Sequence, residues 1–138
     1  MNIHSYVRIF YFGPVIPAGM REDDMEKHEH EHDCAEAVKE VKSLLPNDET
    51  LSELAELFKF FGDYTRVKIL YGLFSHDMCV NDISEVVGAS QSAVSHQLRL
   101  LRGAGLISGR REGKLVIYSL ADDHVRSIIK QGMEHVLE

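Results

Sequence analysis

The sequence predicts a mainly α-helical domain that carries one β-hairpin, and three observations predict it. Two short helical segments meet at Gly88 and Ala89, the apolar pattern then switches to period two on either side of Gly113, and one amphipathic helix closes the chain. Together these describe a winged helix-turn-helix with helical dimerisation elements at both ends. The length of 138 residues suits one folded domain. Residues 1–34 are expected to form a flexible N-terminal arm with a His-rich tract, and residues 35–138 the winged-helix DNA-binding and dimerisation domain.

Each element has its own signal. AEAVKEVKSLL reads as a helix to Leu45, ended by Pro46-Asn47-Asp48. A second helix over residues 51–61 is expected to bury Leu51, Leu54, Ala55, Leu57, Phe58 and Phe61, with Gly62-Asp63 as its break. A third, over residues 65–74, is expected to turn Val67, Leu70, Tyr71 and Phe74 inward. Residues 80–87 and 90–101 form the helix pair, with Ile83, Val87, Val94, Leu98 and Leu101 facing the core and Ser90 capping the second helix. Residues 106–111 and 115–120 are strands joined through Glu112-Gly113-Lys114. Ala121-Asp122 opens the last helix, whose Val125, Ile128, Ile129, Val136 and Leu137 are expected to form a dimer seam.

The net charge of -7 argues against nucleic acid until it is divided along the chain. Residues 22–60 hold thirteen acidic and four basic residues, whereas residues 90–118 hold Arg99, Arg102, Arg110, Arg111 and Lys114 against Glu112 alone. The basic residues fall on the second helix of the pair and on the hairpin, the two elements that enter or flank a groove. Gln91, Ser92, Ser95 and His96 are short or amide-bearing groups on the outer face of that helix, suited to base edges and phosphates, with Arg99 and Arg102 further along. No nucleophile elbow, phosphate loop or HExxH is present, so the chain is not expected to be an enzyme. No stretch suits a membrane span or a signal peptide, and two cysteines among eight histidines fit a reducing cytoplasm.

The last helix also carries ligands. His124 and His135 are eleven residues apart, about three turns, so they share a face but stand roughly 16 Å apart along the axis. No single ion bridges that distance within one helix. An antiparallel second copy would bring Asp122 and His124 of one chain to His135 and Glu138 of the other, giving two identical sites in a homodimer. Mixed imidazole and carboxylate donors suit four-coordinate Zn2+, with Co2+ as its mimic, and a full protein shell leaves no open position for catalysis. Ni2+, which takes more ligands, is the lesser alternative.

From residue 51 to the end the chain resembles the ArsR/SmtB family of metal-sensing winged-helix repressors, in its zinc-sensing branch. The resemblance rests on FGDYTRVKILYGL, with Tyr64 where proline is common, on SQSAVSHQLRLLRGAGLI, on REGKLVIYSL, and on Asp122, His124, His135 and Glu138. It implies an apo dimer that binds double-stranded operator DNA and is released by zinc, controlling metal efflux or sequestration genes. A zinc-activated repressor and a nickel- or cadmium-selective sensor stay open. The resemblance also implies a second site built from Cys79 and Asp82 with Cys34 and the arm histidines His30 and His32. Where other branches carry Cys-Val-Cys, this sequence reads Cys79-Val80-Asn81, which disfavours arsenite and leaves Cd2+ possible.

Overall fold

The computed structural model describes residues 34–138, with the side chain of Cys34 excepted. Its chain divides into two units, residues 1–45 and 46–138. In the first, helix α1 spans Cys34–Leu44. Leu45 donates its backbone N–H to Val41 at 3.0 Å, which closes the helix ahead of Pro46.

The second unit runs α2 (Asp48–Phe61), α3 (Tyr64–Ser75), β1 (Met78–Cys79), α4 (Val80–Val87), α5 (Gln91–Gly103), β2 (Ile107–Glu112), β3 (Leu115–Leu120) and α6 (Asp123–Leu137). Side-chain caps set the helix starts. Asn47, Asp63, Ser90 and Asp122 accept the backbone N–H three residues on, satisfying a donor that the helix itself leaves unpaired. Gly88 ends α4 at φ 74°, and its N–H meets Ser84 O at 2.8 Å. Only glycine takes that left-handed cap without steric cost.

Ile69, Leu70 and Leu73 of α3, Ile83 of α4, and Val94, Leu98 and Leu101 of α5 form the core with Leu106, Ile107, Leu120 and Val125. Leu57, Phe60, Phe61 and Ile129 pack against its edge. The sheet order is β1-β3-β2, all antiparallel, with Cys79 opposite Ile117 and Ile107 opposite Leu120. The two-residue turn Gly113-Lys114 joins β2 to β3, with Gly113 at φ 60°. Glu112 is thus a strand residue, not part of the connection. At the start of α6, the Arg126 guanidinium donates to Phe74 O at 2.7 Å and lies 4.9 Å from the centroid of the Phe74 ring.

Three expected faces are corrected. On α2 no residue is buried; Leu54 and Phe58 are exposed, as is Ala55. On α3 the core side is Ile69, Leu70 and Leu73, while Val67 and Tyr71 are exposed. On α6 Val125 is 5% exposed in the chain's own core, so it does not serve as seam; Ile129 is partly buried against that core, and Val136 and Leu137 are exposed. Strand β1, too short to show a period, was not expected.

Candidate nucleic-acid interface and metal centre

Helix α5 is amphipathic as its sequence requires. Val94, Leu98 and Leu101 are buried, and Gln91, Ser92, Ser95, His96, Arg99 and Arg102 are exposed. Ser90 Oγ accepts the Ala93 N–H at 3.2 Å, fixing the helix start, and lies 3.2 Å from Ser92 Oγ. On the hairpin, Arg110, Arg111 and Lys114 are exposed, with Arg110 and Arg111 in register opposite Ile117 and Val116.

These cations differ in availability. Arg110 donates to Asp77 at 2.7 Å and to Glu112 at 2.9 Å. The hydrogen bond to Asp77, then that to Glu112, holds its pKa above the usual guanidinium value, so its charge is fixed but already partnered. Among the described residues Arg99, Arg102, Arg111 and Lys114 form no ion pair. Gln91 is also engaged: its Nε2 donates to Asn81 Oδ1 at 2.7 Å. The sequence offered Gln91 as a freely projecting group and gave Asn81 no role beyond a missing thiol. The signal that would have found the pair is two short amide side chains on the opening turns of adjacent helices.

The metal-ligating candidates divide between the two ends of α6. Asp122 Oδ1 accepts the Val125 N–H at 3.0 Å and lies 3.7 Å from His124 Nδ1. The cap uses Oδ1 alone, so Oδ2 is open to a ligand. His124 is 95% exposed, and His135 and Glu138, three residues apart near the far end, are exposed too. No cluster of three or more His, Cys, Asp or Glu able to hold an ion occurs among the described residues. Each end offers two donors, an imidazole and a carboxylate. The donor chemistry fits zinc, and two such pairs would make a four-coordinate shell.

At the second candidate location, Cys79 is 8% exposed and its Sγ donates to Asp82 Oδ2 at 3.3 Å. The structure therefore brings these two together. Cys34 opens α1, and His30 and His32 lie outside the described residues with the rest of the arm.

An amphipathic helix behind a tight turn, followed by a cationic hairpin, defines a winged helix-turn-helix DNA-binding protein. The profile described as bacterial regulatory protein, arsR family, matches residues 63–108. The chain is 38% identical to a cadmium resistance transcriptional regulatory protein, a CadC homolog of Staphylococcus aureus, over 79% of this chain and 87% of the relative. It is 36% identical to a transcriptional repressor, an SmtB homolog of Synechocystis, over 75% and 78% respectively. Among solved structures it resembles a homodimeric winged helix-turn-helix DNA-binding domain of Mycobacterium bovis, with TM-score 0.61 and 24% identity over 67% of this chain and 88% of that one. The chain belongs to the ArsR family; it is a DNA-binding transcriptional regulator and not an enzyme. Among the described residues, no helix is long and apolar enough to cross a membrane.

Proposed function

We propose that this protein is a repressor that binds operator DNA as a metal-free homodimer and is released by zinc. One observation carries the reading: two exposed donor pairs, Asp122 with His124 and His135 with Glu138, stand at opposite ends of one helix, and each is half of a zinc shell. A regulator named for cadmium resistance among its relatives supports metal response in general. Zinc, when bound, supplies a four-coordinate link between two chains.

The remaining work belongs to the chain's own residues. Gln91, Ser92, Ser95 and His96 face base edges and nearby phosphates, and Arg99, Arg102, Arg110, Arg111 and Lys114 neutralise phosphates. Two α5 helices fit successive major grooves when their spacing matches one helical turn of DNA, about 34 Å. Strand β3 runs through Ala121 directly into α6, so the pose of α6 in the dimer sets the pose of the wing. Ligand binding that favours one α6 arrangement must bind less tightly to the complex with DNA when that arrangement misplaces the reading helices. Cys79 and Asp82 form a second candidate site with Cys34, His30 and His32 from the arm. The regulated genes on this reading encode metal efflux or sequestration.

Zinc titrated into the protein on its operator, followed by fluorescence anisotropy, tests this. Release that is lost in His124→Ala and in His135→Ala is expected. Binding unaffected by zinc would overturn the proposal, and tighter binding would establish a zinc-activated repressor instead. Cobalt absorption bands from thiolate bonding that vanish in Cys79→Ser would establish the second site. Release at lower concentrations of cadmium or nickel than of zinc would reassign the metal.

A further inference from the structure

The first turn of α4 carries a side chain that reaches across the helix-turn-helix. Asn81 Oδ1 accepts a hydrogen bond of 2.7 Å from Gln91 Nε2, so the first helix of the motif holds the opening residue of the second. Both side chains are exposed. Water competes for both amides there, so the bond contributes little to folding. Its consequence is geometric. A glutamine rotates about three side-chain bonds, and reading a base demands one rotamer, whose selection weakens binding unless it is made beforehand. With one Nε2 hydrogen on Asn81, the other hydrogen and Oε1 form a donor–acceptor pair. That pair matches N7 and the N6 amino group of adenine in the major groove.

We propose that Asn81 is a specificity-determining positioning residue that holds Gln91 in place to read one adenine in each operator half-site. The inference rests on the assignment of α5 as the DNA-reading helix and extends it to a base and to a residue outside that helix. Position 81, where a thiol would serve a metal, here serves the reading head.

The test is selection of binding sites from a random duplex library, with and without zinc, by the full chain and by Asn81→Ala, Asn81→Asp and Gln91→Ala. The unaltered protein is expected to enrich a pseudo-palindrome containing an adenine in each half-site whose preference disappears in Gln91→Ala. Asn81→Ala should lose discrimination at that base pair by on the order of 10-fold, with the other positions, the salt dependence and the melting temperature unchanged. Asn81→Asp keeps an acceptor for Gln91 and should retain the preference while binding more weakly overall, because its negative charge faces phosphates. Unchanged adenine preference in Asn81→Ala, or equal loss in Asn81→Asp, would overturn the positioning role alone. Failure of the unaltered protein to enrich any motif would overturn the DNA-reading assignment of α5 and this inference with it.

Discussion

Arg110 and Arg111 are neighbours in sequence with unlike circumstances. Arg110 is held by Asp77 and Glu112, whereas Arg111 forms no ion pair among the described residues. An arginine that must leave two carboxylates gains less from a phosphate than one that leaves only water. Arg111→Ala is therefore expected to lower the slope of log affinity against log salt by about 1, and Arg110→Ala by less. DNA binding measured from low to moderate salt checks this, and equal slopes for the two variants would refute it. Sequence alone could not separate the two residues, because Asp77 lies 33 positions before Arg110 and meets it only once β1 joins β3. The Gln91–Asn81 bond, only ten positions long and inside the helix pair, left a signal in the two amides on adjacent opening turns.

At the scale of elements, the turn between α4 and α5 was the most legible part of the chain. Gly88 takes the left-handed cap of one helix and Ser90 caps the start of the next, and both reasons are local. Gly88→Ala places a Cβ at φ 74° with no atom within 4 Å of it beyond its own residue and chain neighbours, so the expected loss is purely conformational. It should amount to about 1–2 kcal/mol, measured by urea unfolding; a neutral result would mean that the turn adopts another conformation. The misread faces have a different origin. Helix α3 carries Val67, Ile69, Leu70, Tyr71, Leu73 and Phe74, apolar residues on almost every side. Which of them enter the core is decided by α4 and β3, which pack against α3, and not by periodicity. On α6 the amphipathic stripe was visible, but it divides lengthwise: Val125 goes to the chain's own core, and Val136 and Leu137 do not.

At the scale of the whole molecule, the described residues of the second unit leave an apolar groove uncovered among themselves. A groove of about 1060 Å³ is lined by Phe58, Phe61, Tyr71, Val86, Ile128 and Val136. Its apolar residues lie side by side on α2, α3 and α6 rather than singly over the surface. On the proposed reading a second copy covers it. Phe58→Glu combined with Val136→Glu is then expected to yield a folded monomer that binds operator DNA at least 100-fold more weakly, because two half-sites no longer act together. Sedimentation of the double variant checks this, and a retained dimer would place the interface elsewhere. The proposal of four α6 ligands starts from length alone: His124 and His135 are too far apart to share one ion within a helix. The partner that would complete each site lies in a second copy, and a single sequence describes only one half of such a contact.

The Arg126 contact gives α6 an uneven mechanical character. Its first turns are clamped, by Val125 in the core and by Arg126 on the end of α3, while its last turn, with Val136, Leu137, His135 and Glu138, stands clear of the core. Among the described residues the helix is therefore a cantilever, fixed near Asp122 and His124 and free at its tip. A force applied at the tip by a partner chain acts with the full length of the helix as its lever arm. The fixed end, where that torque must be resisted, is the junction with β3 and hence the root of the wing.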